Sequence, residues 1–505
     1  MSRSNASGKT PAAEQTAPRP FSERLKAAVG APIKAMRLRY LPLLMVYFAY
    51  GALGLVGIAE SFWIKQALSM TPAELAGLGV WLTLPWTIKM VFGQIVDSVT
   101  LFGSQRRIYV FCGAALVASG LLILVGAAGD WFPSFPLDAL YICAKLLIVV
   151  GIVFQDVVAD AMSTEVVERE TSDGTPRPKK DIEHDLGMVQ VLGRLALSFG
   201  IFAVAGIGGV LAQIYTYQTV FLLGLAIPAI SITGALLVRL EDVPVKPIDW
   251  RILGGGAAFG AVVATLGFAG VPYSQELIFL ISMVVIITML FAVVDELEPE
   301  AKRKIFFAAI IIFVFRSTPG VGEGYRWFTI DMLGFDEAFF GTLAQIGAGL
   351  AMAGIWLLAD TITRRPVASV LLWLTVFYTI LSLPNVALVY RVDEWTNEMF
   401  GFGARTIALI DTAAESPFAQ LSMIPMLTLI AIHAPAGRRA TWFALMASLM
   451  NLALVAGQLQ TKYLNWAFAV DRGQYGELPI LLVSAVIIGF IVPLAAILLF
   501  GRRAT

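Results

Sequence analysis

The chain has 505 residues, 58 % hydrophobic and 14 % charged, and its mean hydropathy is +0.78. Soluble proteins carry roughly 25 % charged residues, and a folded surface in water cannot hide this much apolar side chain, so lipid must be the second solvent. A net charge of zero and a pI near 6.8 give no basis for a nucleic-acid partner.

Residues 1 to about 20 read as a disordered tail. From Phe21 to Arg39 basic and apolar residues mix, which suits either a short helix on an anionic membrane face or a solvated tail. No cleavage-type stretch follows, so residues 1–40 read as a cytoplasmic tail and not as a signal peptide. A spanning helix takes about 20 apolar residues, and the chain offers about fourteen such runs. They lie at 41–65, 75–98, 107–129, 138–163, 186–210, 217–240, 252–271 and 275–295. Six more follow at 305–330, 338–360, 366–390, 404–433, 438–461 and 478–500. With the N-terminus inside, most of the 36 Lys/Arg fall in inner tails and loops, while outer loops carry acids such as Asp130, Asp331 and Asp393. Both termini are therefore expected in the cytoplasm, in a bacterial inner membrane or a plasma membrane.

The two halves repeat weakly. Phe48, Gly57, Ala73 and Leu78 recur 265 residues later as Phe313, Gly322, Ala338 and Leu343. In each half the second run ends in an acid and an arginine pair: Asp97 before Arg106 and Arg107, and Asp360 before Arg364 and Arg365. This suggests an all-α polytopic membrane protein. Its expected parts are a six-helix bundle over 41–242, a linker with two extra helices over 243–304, and a second six-helix bundle over 305–505.

Gly93-Gln94-Ile95-Val96-Asp97 followed by Arg106-Arg107 resembles the loop signature of the major facilitator superfamily. Leu84-Pro85-Trp86-Thr87-Ile88-Lys89, Asp97-Ser98-Val99, Leu101-Phe102-Gly103 and Arg106-Arg107-Ile108-Tyr109 more narrowly resemble the folate–biopterin transporter family. So do Asp156-Val157-Val158-Ala159-Asp160-Ala161 and the stretch from Gly437 to Asn451. Phe315-Arg316-Ser317-Thr318-Pro319 is similar to the start of that family's second half, although the arginine departs from its usual pattern. The likeness covers most of 41–240 and 305–460. It implies a twelve-helix transporter core and a folate or pterin as substrate. It also implies that the charged loop after the second run latches the inner face, with Asp97, Arg106, Arg107, Asp360, Arg364 and Arg365 as gating residues.

A charge at the centre of a spanning helix costs about 2.5–3.5 kcal/mol on insertion scales, so each one needs a reason. At about 1.5 Å per residue, Lys89 and Asp156 lie roughly 14 Å from the inner end, Arg194 roughly 12 Å and Arg316 roughly 16 Å. Asp156 and Asp160 are four apart on one helix face, and either Arg194 or Lys89 is placed to separate their charges. This cluster suits proton coupling, substrate binding or a structural gate. Pro319 and the glycines up to Gly324 should break the seventh core helix beside a wet cavity. Gly51, Gly54 and Gly57 either loosen the first span or let a neighbour approach. Asp411 and Glu415 are four apart, and Glu415 is placed to face Arg316. Arginine grips a carboxylate in a fork, a carboxylate such as Glu323 can accept from a pterin edge, and Trp63, Trp81, Trp86, Tyr325 and Trp327 are candidate stacking faces.

The expected substrate site is Arg316, Glu323, Glu415, Asp411, Lys89 and Trp86. Asp156, Asp160 and Arg194 are the expected coupling group. No phosphate-binding loop and no His/Cys cluster appears, so neither an enzyme, a cofactor nor a metal site is expected. Cys112 and Cys143 read as buried small hydrophobes. The expected partners are a small-molecule substrate and membrane lipids, acting on a monomer. Other solutes, export, or a non-transporting assembly factor with a carrier fold stay open as alternatives.

Overall fold

The computed structural model describes residues 36–103, 106–171, 173–237, 247–269, 271–295, 297–363, 365–418, 421–433 and 439–504. Of the expected interfacial stretch 21–39, only 36–39 fall within it, and Leu38–Tyr40 is a 3-10 turn leading into the first span. The described residues are helical apart from loops and two isolated bridges.

The first half holds α1 (Leu41–Ala52), α2 (Gly54–Ala67), α3 (Pro72–Thr87), α4 (Lys89–Ser98), α5 (Arg107–Ala128), α6 (Leu137–Glu165), α7 (Lys179–Ile214), α8 (Tyr217–Gly224) and α9 (Ala226–Leu237). The insert is α10 (Trp250–Phe268) and α11 (Ser274–Val294). The second half holds α12 (Pro299–Arg316), α13 (Glu323–Asp331), α14 (Glu337–Thr363), α15 (Val367–Leu381), α16 (Leu383–Val389), α17 (Val392–Phe400), α18 (Ala404–Glu415), α19 (Met423–Ile432), α20 (Arg439–Ala467) and α21 (Leu478–Ala504).

Helix starts follow local chemistry. Thr71 and Glu74 form a capping box ahead of α3, with Pro72 in its first turn. Thr216 caps α8 and Asp249 caps α10.

Eleven stretches among the described residues are long and apolar enough to cross a membrane, against about fourteen expected runs. The other three runs coincide with α12–α13, α14 and α18–α19. The chain breaks between α12 and α13 and between α18 and α19, so no half reaches spanning length with enough hydropathy. The α14 run includes side chains outside the described residues.

Two helix pairs join the halves: α7 lies along α14, and α3 lies along α20. At the first seam Gly209 and Gly341 bring the backbones together, since a Cβ on Gly209 would sit 2.6 Å from Gly341 Cα. Within the first half α1 crosses α7, and a Cβ on Gly51 would lie 2.1 Å from the Leu197 carbonyl oxygen. Gly51 therefore serves close packing, whereas Gly57 has open space beside it. The insert is peripheral: α10 touches α4, and α11 leans on α20 and α3.

Apolar side chains pack inside each half, among them Val46, Val158, Leu121 and Phe221 in the first and Ile312, Leu371 and Trp442 in the second. Others, such as Leu280, Val284 and Leu498, point outward, where hydrocarbon is as good a solvent as the core. The same reason corrects the expectation for the cysteines: Cys143 is exposed on α6 and Cys112 only half-buried, both as free thiols.

Gly51→Val should lower the folded yield and cost about 3 kcal/mol of stability by overpacking, while Gly57→Ala should be near neutral. Thermal unfolding of both variants in detergent checks this.

Candidate functional site

Pro85 sits inside α3, and the helix breaks at Ile88 (φ −103°, ψ 20°) before restarting at Lys89. The break frees two carbonyls. Asn451 Nδ2 donates to Trp86 O at 3.1 Å and Ser448 Oγ donates to Thr87 O at 3.0 Å, both from α20 in the other half. The restart directs Lys89 at α6. Its Nζ lies 2.5 Å from Asp156 Oδ2 and 2.5 Å from Asp160 Oδ2. Tyr47 donates to Asp160 Oδ1 at 2.8 Å.

Lys89 is thus the cation between the two acids. Arg194 is exposed and makes no ion pair with any described residue, but it acts electrostatically on Asp156. The Asp160 side chain is 49 % exposed, so part of this cluster faces open space. A carboxylate turned to hydrocarbon would be costly, which makes that space water-lined. Trp86 stacks on Tyr50 at 6.1 Å between centroids, beside this cluster.

The second break is the expected one. Between Arg316 and Glu323 the chain is non-helical, with Gly322 at φ +82°. Side chains of α20 again satisfy the loosened backbone. Gln460 donates to Ser317 O at 2.6 Å, Gly320 N donates to Thr461 Oγ1 at 2.9 Å, and Asn465 donates to Val321 O at 2.9 Å. A cavity of about 340 Å³ opens beside the break. Arg316, Thr318 and Glu323 line it from the second half, Leu78 and Tyr141 from the first, and Gln458 from α20. Arg316 Nε and Glu323 Oε2 are buried atoms without a hydrogen-bond partner. Arg316 Nη1 points at Met423 Sδ, 3.3 Å away. No ion pair joins Arg316 to Glu415 among the described residues; α18 ends at Glu415 and runs on into a 3-10 turn at Ser416–Phe418.

Asp411 is buried and belongs to a separate chain of contacts. Tyr325 donates to Asn385 Oδ1 at 2.6 Å, and Asn385 Nδ2 donates to Asp411 Oδ2 at 3.0 Å. Asp411 Oδ1 has no partner.

The end bearing both described termini and the opposite, distal end are built differently. At the distal end the halves are tied directly. Lys65 Nζ meets Asp331 Oδ1 at 2.5 Å, Arg326 Nη1 donates to Ser61 at 2.5 Å, and Tyr217 donates to Glu337 Oε1 at 2.9 Å. Arg472, in the loop before α21, donates to Lys65 O, Met70 O and Ile64 O at 2.9, 2.7 and 3.1 Å and lies over the Trp327 ring at 4.1 Å. Outside the spans, burial pushes the Asp336 carboxyl up, but the Phe339 N–H and Arg405 outweigh it and hold it below its ordinary value.

At the terminal end Arg106 is 4 % exposed and pairs with Asp97 at 2.9 Å and with Glu165 at 2.5 Å. Among the described residues the expected latch thus ties Arg106 to both Asp97 and Glu165 of the first half. Arg365 is exposed, and Arg364 and the Asp360 side chain lie outside the described residues.

Several members were not singled out from sequence. Glu165 and Tyr47 sit beside expected residues and could have been found from helix phase. Arg472 lies in a polar loop and gives no such signal. Glu60, Lys145 and Tyr141 form a further cluster across α2 and α6, with Glu60 accepting from Tyr141 at 2.8 Å and from Lys145 at 3.0 Å.

Arg106→Ala should cost about 3 kcal/mol, because it strands two acids at a buried site. Arg106→Lys should recover only part, since an ammonium cannot fork between them. Melting temperatures of the two variants test the order.

Comparison with known proteins gives a consistent result. The BT1 family profile matches residues 51–504. The folate-biopterin transporter of Synechocystis sp. is 26 % identical over 456 residues, covering 88 % of this chain and 78 % of that protein. The probable folate-biopterin transporter 4 of Arabidopsis thaliana is 22 % identical, covering 91 % and 95 %. Among solved structures, a POT family transporter in complex with 5-aminolevulinic acid superposes with a TM-score of 0.62 at 14 % identity over 93 % of this chain and 96 % of that one. Its likeness shows the major facilitator fold. A helical chain of this fold, matched by the family along nearly its whole length, is a membrane transporter and not an enzyme, and it belongs to the BT1 family of folate–biopterin transporters.

Proposed function

We propose that the chain moves a folate, a pterin or a related anionic heteroaromatic solute by proton-coupled uptake. The observation that carries this reading is the cavity between the halves, lined by Arg316, whose buried Nε has no hydrogen-bond partner, and by Glu323, whose Oε2 has no hydrogen bond and only Arg326 Nε near it at 3.9 Å. A guanidinium suits a carboxylate, and a carboxylate suits the amino and ring N–H groups of a pterin edge. The similar proteins of Synechocystis sp. and Arabidopsis thaliana are named as folate-biopterin transporters, which favours the same solutes.

Both termini face the cytoplasm in this reading, and the protein works as a monomer of two six-helix bundles joined by the two-helix linker. The distal ties then close the outer side, and the exposed face of Asp160 opens inward. Asp156, Asp160 and Glu415 carry the proton, with Arg194 tuning the first two. Asp411, Lys89 and Trp86 complete the binding surface. Asp97, Arg106, Arg107, Asp360, Arg364 and Arg365 gate the inner side.

Proteoliposomes tested with labelled folate and biopterin, with and without an inward proton gradient, check the proposal. Gradient-stimulated uptake is expected. Arg316→Ala should raise KM about tenfold to a hundredfold, the size of a lost charged hydrogen bond. Asp156→Asn should abolish stimulation by the gradient. Uptake of neither solute by folded protein would overturn the substrate, and unchanged stimulation in Asp156→Asn would remove that residue from coupling.

A further inference from the structure

A second cavity, of about 280 Å³, shares no lining residue with the first. It is a crevice between the linker helix α11 and two helices of the second half, α12 and α20. Leu290, Phe291, Ile305, Phe306, Ala309 and Met446 are among its walls, and Lys302 is the one charged residue lining it among those described. Phe291 and Phe306 are 61 % and 53 % exposed, so it opens on the outer surface of the bundle. Lys302 belongs to the first turns of α12, just after α11 has ended at Val294, so it marks the membrane boundary at the terminal end. Its ammonium lies 3.5 Å from Asp295 Oδ1, a loose and largely exposed pair.

An apolar crevice of this size stays dry, and left empty its walls forfeit dispersion contacts. A second helix, about 10 Å across, is too thick to enter. A solute with polar edges finds nothing there to read them. A hydrocarbon chain meets every requirement.

We propose that the crevice is a specific phospholipid site and that its occupant is a phosphatidylethanolamine. One acyl chain fills the wedge between α11 and α12. The phosphate takes Lys302 and the headgroup ammonium takes Asp295, so each member of the loose pair exchanges its partner for a complementary charge. The lipid then mortars the linker to the second half, where α11 and α12 make few direct contacts.

Native mass spectrometry of the full chain in detergent, with phosphatidylethanolamine, phosphatidylglycerol and phosphatidylcholine added in turn, tests this without reference to transport. One phosphatidylethanolamine per chain should survive activation in preference to the other two. Lys302→Gln should weaken its retention about fivefold, the size of one lysine's attraction to a membrane phosphate. Ala309→Trp, which fills the wedge, should abolish retention. Equal retention of the three headgroups, preferential retention of phosphatidylglycerol, or retention unchanged by Lys302→Gln would each overturn the proposal. Should Ala309→Trp fail to fold, the lysine variant and the headgroup order decide alone.

Discussion

A backbone N–H or C=O loosened at membrane depth has no water to turn to and must find a protein partner. In this chain that constraint falls largely on one helix, α20. Its Ser448 and Asn451 take the carbonyls freed where α3 breaks into α4, and its Gln460, Thr461 and Asn465 hold the non-helical stretch between α12 and α13. The window of α20 that meets the span criteria is also the most buried of the eleven, at 61 %. Its polar residues look like interruptions in an apolar run. They are what allows two other helices to be broken, and both breaks set charged residues in place: Lys89 at one and the Arg316–Glu323 pair of termini at the other.

The charges inside the bundle fall into clusters with different tasks. Lys89 bridges two acids on one face of α6 and offsets one of their two negative charges. Glu60 and Lys145 neutralise each other between α2 and α6. Arg316 and Glu323 line a cavity that Tyr141 of the second cluster also lines; Arg316 Nε has no hydrogen-bond partner, and Glu323 Oε2 has Arg326 Nε at 3.9 Å. Paired clusters hold helices in register.

Much of this was legible in the sequence, for specific reasons. The four-residue spacing of Asp156 and Asp160 fixes one face, and depth counting puts Lys89 level with them. Proline and glycine at 319–324 announce a break whatever surrounds it. The linker insert shows as two extra apolar runs. What was not legible depends on helix rotation and on loops. Arg194 and Lys89 share a depth, and only the turn at Ile88 decides that Lys89 reaches the acids. Arg316 and Glu415 share a depth too, but depth counting carries no helix rotation, and Arg316 Nη1 instead meets Met423 Sδ. The expected runs at 305–330 and 404–433 read straight through the breaks that part α12 from α13 and α18 from α19.

Arg472 ends the account with a thermodynamic consequence. Its guanidinium reaches the end of α2 and the loop after it from the opposite half, taking the carbonyls of Ile64 and Lys65 on the helix and of Met70 beyond it at once. Parting the halves at this end would break these three bonds at once, leaving Arg472 with Asp471 and the Trp327 ring of its own half, and solvent would replace what was lost. Separation of the distal end is therefore a hydration reaction. Its equilibrium must respond to water activity, so that an excluded osmolyte favours the joined state with no change in any residue.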